Sequence, residues 1–320
     1  MLSRLGLGCL GLACLCAAAV AFLPATAVAA LPGRSGSIAF GTADVTYLGS
    51  DEEADAISVF ETGLVAANGR QRRIVARGAD PAFSPSGRVL ALAGGGILLR
   101  PLGGAKVTRL TRGPDRFPTW SPAGRRLAFA RRVPTQEGYC EWTGSRQVRY
   151  DSRQPCPARL YTIRRDGGKL RVLADRGWTP AWSSRGQIAY VGADRAIWTS
   201  DSQGTKAHRV VENGNDPDWS PRGGRIAFVR QSGEWFGLFV VNRDGTGLRR
   251  LYVTRRHSLH SVTWSPGGRH IAFVKEGNGL YTLPLASGSR PTKLMGAWCP
   301  SCSEFETLYR LAWQPLPRSR

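Results

Sequence analysis

Acidic residues, histidine, methionine and lysine are all scarce in this chain of 320 residues. Against 44 basic side chains there are 23 acidic ones, so the formal net charge is +21, and there are only four His and two Met. No His-Glu-x-x-His pair occurs and no glycine-rich phosphate loop, which removes the usual zinc-protease and nucleotide signatures. Gly-x-Ser-x-Gly is missing too, so there is no nucleophile elbow. His208 and His270 fall in outer or second strands, where a surface role is the simpler account. What local spacing cannot exclude is a constellation gathered from distant segments. No long apolar run follows residue 30, so no second membrane-spanning stretch is expected. Among the basic residues only Lys106, Lys169, Lys206, Lys275 and Lys293 are lysine. Such a balance points either to an acidic partner (anionic glycan, lipid headgroup or nucleic acid) or to an arginine-rich composition with no partner behind it. The basic residues lack aromatic interleaving, and the export signal described next argues against nucleic acid.

Residues 1–30 read as a signal peptide. Arg4 supplies the positive charge, residues 5–23 are apolar, and Ala27-Val-Ala-Ala30 offers small residues for cleavage. Retained, the apolar run is near the lower limit for an anchor. Cys9, Cys14 and Cys16 lie inside it. The other cysteines are Cys140, Cys156, Cys299 and Cys302. In an oxidising compartment they are expected as disulfides, most simply Cys140–Cys156 and Cys299–Cys302. The first would close a loop of roughly fifteen residues, worth about 3 kcal/mol in the chain-entropy picture. Cys299-Pro-Ser-Cys302 also has the spacing of a redox pair, without a thioredoxin-type context.

What the chain has in abundance is a repeat. Asp216-Pro-Asp-Trp-Ser-Pro-Arg-Gly-Gly-Arg-Ile-Ala-Phe228 recurs with variations as Asp80-Pro-Ala-Phe-Ser-Pro-Ser-Gly, Phe117-Pro-Thr-Trp-Ser-Pro-Ala-Gly, Thr179-Pro-Ala-Trp-Ser-Ser-Arg-Gly and Ser261-Val-Thr-Trp-Ser-Pro-Gly-Gly. The aromatic anchors are Phe83, Trp120, Trp182, Trp219 and Trp264. A period of about 40 residues with four short strands per unit is the signature of a β-propeller. Each unit predicts an inner strand holding the aromatic, a tight Ser-Pro-x-Gly turn, and an apolar Ile-Ala-Phe strand. A third strand, a glycine turn and a basic outer strand follow. Leu311-Ala-Trp-Gln-Pro315 reads as a sixth inner strand with no blade after it, and Gly36-Ser-Ile-Ala-Phe40 as a second strand with no inner strand before it. The expectation is an all-β, six-bladed propeller over residues 31–320, closed by the C-terminal strand joining the N-terminal blade, with a loop insertion at 133–157. Trp120, Trp182, Trp219, Trp264 and Trp313 are expected in the core.

These motifs resemble the WD40-like repeats of the TolB C-terminal propeller, whose consensus is close to P-x-W-S-P-D-G-x-x-I-A-F. The resemblance covers about residues 36–317. Two departures stand out. The turn Asp is absent from every copy, its positions holding Ser86, Ala123, Arg185, Arg222 and Gly267, so its local hydrogen bonds should be lost. The α/β domain that precedes the propeller in TolB-like proteins is also expected to be missing, because the repeats begin almost at once. The resemblance implies a secreted, periplasmic or cell-wall binding protein.

Long connections fall on one expected face: 41–56, 133–157, 231–236, 254–260 and 296–306. Irregular loops on a rigid scaffold commonly carry binding. Trp142, Trp235 and Trp298 lie in them and serve either as platforms for a ligand or as plugs over the barrel. Asp80, Arg116, Trp178, Asp216 and His260 precede the inner strands and should line the channel mouth. There Asp80 and Asp216 would hold a cation such as calcium or a basic side chain, unless Asp-Pro simply starts the strand. No cofactor is otherwise indicated. The expectation is a monomeric, non-enzymatic binding or scaffold protein that recognises an envelope or cell-wall protein or an anionic glycan. The alternative is an enzyme acting on acidic polysaccharide, since similar propeller repeats occur in some lyases.

Overall fold

The computed structural model describes residues 34–48, 55–104, 106–133, 157–296 and 309–316. These residues contain strands and no helix, hence no helix long and apolar enough to cross a membrane. They form six antiparallel sheets of four strands each. Blade 1 combines residues 34–77 with the C-terminal strand Tyr309–Leu316. Blades 2 to 6 follow at 79–109, 115–174, 178–211, 215–254 and 259–295. In blade 1 the C-terminal strand takes the innermost place, pairing Trp313 with Ile38 and Leu311 with Phe40. The expected ring closure is therefore observed, and no inner sheet edge is left open.

The motif explains each blade. Its aromatic ends the inner strand and packs into the seam with the neighbouring blade; Trp219 is fully buried. The apolar second strand supplies the rest of the seam. Six hydrophobic clusters result, one per seam. Ala181, Ile197 and Val210 of blade 4 pack on Trp219 and Phe228 of blade 5, and Ile38 and Trp313 of blade 1 pack on Val274 and Leu280 of blade 6. A strand pattern of this kind is buried on both faces, which is why Ile-Ala-Phe shows no polar alternation.

Tight turns link inner and second strands. Gly87, Gly124, Gly186, Gly223 and Gly268 sit there at φ of 67°, 63°, 85°, 63° and 67°. At Gly87 an added Cβ would stand 2.2 Å from the Pro315 carbonyl oxygen, so only glycine lets this turn close against the C-terminal strand. Loss of the consensus Asp does not leave the turns unlocked. The Ser at the head of each one accepts a backbone N–H across it: Val89 at 3.1 Å, Arg126 at 2.9 Å, and Gln187, Arg225 and His270 each at 3.0 Å.

Two connections expected as irregular loops are instead β-hairpins. The 41–56 segment continues the ladder of blade 1 as far as the Leu48–Asp55 pair. The 231–236 segment pairs Gln231 with Phe236 and Ser232 with Trp235, leaving Gly233 and Glu234 as the tip. Within the described residues their length comes from strands running past the disc. Both lie on the face that also carries the blade-to-blade connections, here called the loop face. The opposite face, built of Ser-Pro-x-Gly turns and short third-to-outer hairpins, is the turn face.

Candidate functional site at the channel

Two rings of side chains organise the channel. The residue three before each aromatic anchor is Arg310, Asp80, Phe117, Thr179, Asp216 or Ser261, taking blades 1 to 6 in order. Five of them carry a positive φ between 44° and 59°, and the register with the second strand slips there in those blades. A bulge of this kind re-aims the side chain. The residue one before the anchor forms the second ring: Ala312, Ala82, Thr119, Ala181, Asp218 and Thr263. All six line a central cavity of about 100 Å³, which runs from Arg310 to Pro85 and Pro315 at the turn face. That is room for roughly three waters.

At the loop-side mouth the charged residues bind one another. Asp80, almost fully buried, accepts Nε of Arg116 at 2.6 Å and its Nη2 at 3.2 Å, and also the Phe117 backbone N–H at 3.1 Å. One carboxylate thus clamps blade 2 to blade 3. Asp216 repeats the device, accepting the Ser261 backbone N–H at 2.8 Å to clamp blade 5 to blade 6. Arg310 crosses the channel from the closing strand. It donates to the Pro180 carbonyl of blade 4 at 3.2 Å, approaches Asp216 to 4.0 Å, and stacks over Phe117 of blade 3 at 5.4 Å. The positive charge that Asp80 and Asp216 face is in each case a guanidinium. Below the mouth, Asp218 accepts the Trp264 backbone N–H at 2.7 Å. Burial pushes its carboxyl up to about 6, against the opposing pull of that N–H, Arg310 and Thr263.

His260 stands one residue before Ser261 and faces its hydroxyl, with Nδ1 3.1 Å from Oγ. Its Nε2 is buried and has no hydrogen-bond partner among the described residues. Burial lowers its pKa, opposed by Asp216 and Glu276, so the imidazole is neutral at pH 7. Trp178 does not stand free at the mouth; it packs against the seam between blades 3 and 4. Trp235 is 41% exposed at the base of the blade 5 hairpin tip, with the Arg255 guanidinium 3.8 Å above its ring. Trp142, Trp298, Cys140, Cys156, Cys299 and Cys302 lie outside the described residues, as do residues 1–30, expected as a leader.

The structure therefore joins Asp80 to Arg116 and sets Asp216 beside His260, while Trp178 and Trp235 stand apart from them. Sequence reasoning missed Arg310 and Asp218. Arg310 lies three residues before Trp313, the spacing of Asp80 from Phe83 and of Asp216 from Trp219, and that alignment was the available signal. A further clamp, Arg131 to Asp115 at 2.5 Å, holds blade 3's own inner and second strands at the loop face, with the Thr111 hydroxyl also donating to Asp115. The hydrogen bond to Asp115 raises the Arg131 pKa.

No protein-family model and no curated protein matches the sequence. Solved structures do match the fold. TolB from Acinetobacter baumannii superposes with a TM-score of 0.61 at 16% identity, covering 88% of this chain and 67% of that one. A putative TolB from Agrobacterium tumefaciens gives 0.57 at 17% identity, covering 89% and 100%. An oligogalacturonate lyase in complex with manganese gives 0.50 at 12% identity, covering 84% and 87%. At these identities the likeness is one of fold, and it agrees with the resemblance carried by the repeat.

Proposed function

We infer that this TolB-like propeller is an exported, non-enzymatic binding or scaffold module that holds an envelope protein or cell-wall component on its loop face. The observation that carries this reading is the use made of the mouth's charges. Asp80, Arg116, Asp216 and Arg310 are spent on one another, the aspartates also on backbone N–H groups of the next blade and Arg310 on the Pro180 carbonyl, so they serve the ring. Recognition then falls to what projects beyond it. Two hairpins rise from the loop face, and one exposes Trp235 under Arg255, a rigid amphipathic contact of the type that dominates binding surfaces.

The test is crosslinking capture from envelope extract with the tagged protein, run beside a W142A/W235A/W298A variant. A component captured by the wild type and lost by a variant of unchanged thermal stability supports the reading. Sharp loss of stability in the variant would make these residues plugs and remove it.

A second reading has one observation in its favour. A neutral His260, whose Nε2 has no partner among the described residues, lies beside Asp216 in the mouth that Arg310 crosses, and a base near a cation suits proton abstraction from an acidic sugar. Incubation with polygalacturonate checks it: unsaturated product from the wild type, absent with H260A, would replace the binding reading with a lyase.

A further inference from the structure

The net positive charge is not spread evenly over the disc. Each of the five Ser-headed turns carries one exposed arginine: Arg88, Arg125, Arg185, Arg222 and Arg269. Together they ring the turn-side end of the channel. Where the TolB-like consensus has an Asp in these turns, none of the five copies does. Among the described residues the acidic side chains of this face are Asp166, Asp201 and Asp244, each held within its own hairpin. Asp166 accepts the Gly168 N–H and pairs with Arg164, Asp201 accepts the Gln203 and Thr205 N–H groups, and Asp244 accepts the Thr246 N–H. Exposed acids such as Asp175, Asp194, Glu212, Glu234 and Glu276 stand on the loop face instead. A general bias toward arginine would add charge to both faces; here the turn-face carboxylates are confined to three outer hairpins, and the five turns around the channel carry arginine and no acid.

Apolar residues follow the same polarity. Val107, Leu170, Leu248 and Leu316 are exposed at the turn face, three of them beside basic residues, as in Lys106-Val107, Lys169-Leu170-Arg171 and Leu248-Arg249-Arg250. The face is also flat, because its connections within the described residues are tight turns and short hairpins. A soluble polyanion asks for a groove or a stripe. A planar array of cations with interleaved aliphatic side chains instead complements a sheet of anionic headgroups above an acyl layer.

We propose that the turn face is a membrane-docking surface that lies on an anionic lipid leaflet, leaving the loop face outward for its partner. This goes beyond the binding reading and can fail without it. The test is flotation of the purified protein, recovered after export, with phosphatidylcholine vesicles with and without phosphatidylglycerol. Association is expected only with the anionic vesicles, and weakened by added salt. Each of R88Q, R125Q, R185Q, R222Q and R269Q should lower partitioning about fivefold, and together at least about a hundredfold, from the contribution of one basic residue at an anionic leaflet. Thermal unfolding checks that each variant is folded, and the single variants carry the test if the combination is not. L170S/L248S should weaken association further at high salt, where the apolar contacts remain. Wild type that ignores anionic vesicles, or arginine variants that float as well as wild type, overturns the proposal. So does competition by soluble polygalacturonate at equal charge combined with an indifferent L170S/L248S, which would replace the membrane with a free polyanion.

Discussion

Asp218 offers a test of the channel's electrostatics with a defined sign. Its carboxyl is pushed from 3.8 to about 6 in the folded chain, chiefly by burial. A carboxyl with a raised folded-state value favours the fold when protonated, so its contribution improves as pH falls through about 6 and levels off below the unfolded value of 3.8. A shift of two units corresponds to about 3 kcal/mol at most. Asp218 is only partly buried and lines the channel cavity, so solvent screening lowers the working figure to about 1–2 kcal/mol. Asn keeps an oxygen for the Trp264 N–H without the charge. D218N should therefore be more stable than wild type at pH 7.5 by about 1–2 kcal/mol, with the gap closing by pH 4. Urea unfolding of both proteins across this range gives the difference curve, in which every other carboxylate cancels. A gap independent of pH, or one that widens on acidification, would refute the reasoning.

Two further outcomes separate core from surface and test a clamp. Trp219→Ala should destabilise by about 3–5 kcal/mol through the cavity it leaves in the seam of blades 4 and 5, whereas Trp235→Ala should stay within about 0.5 kcal/mol; paired thermal melts decide. Asp80→Ala removes the carboxylate that accepts Arg116 and the Phe117 N–H across the seam, and should cost about 2–4 kcal/mol in urea unfolding, with faster hydrogen exchange along the seam of blades 2 and 3.

The ring was legible because its determinants are local and repeated. An aromatic, a Ser-Pro-x-Gly turn and an apolar strand state one blade, and the unmatched ends state the closure. The mouth was only half legible. Asp80 and Asp216 are marked by Asp-Pro, but Arg116, Trp178 and His260 stand one residue earlier than the bulge, so they were placed in the right region at the wrong phase. A bulge slips the register by one residue, and no feature of the sequence announces it until the six strands are superposed. The hairpins of blades 1 and 5 were missed for another reason. Glycine and acidic residues in 41–56 read as loop, while the pairing that makes them strand lies in the backbone ladder.

Arg310 also explains why closure by one strand suffices. Eight residues at the C-terminal end pair directly only with blade 1, and a ring held by one added strand is exposed to fraying there. Arg310 extends its reach, since from that strand its side chain contacts Phe117, Pro180 and Asp216 on blades 3, 4 and 5. The inner ends of the far blades are tied to the last strand to be made. The same side chain crosses the mouth on the loop side, above the cavity that runs toward the turn face. A side chain that crosses the channel in this way serves the ring first, and it sets apart two faces, one with projecting hairpins and one ringed by arginine.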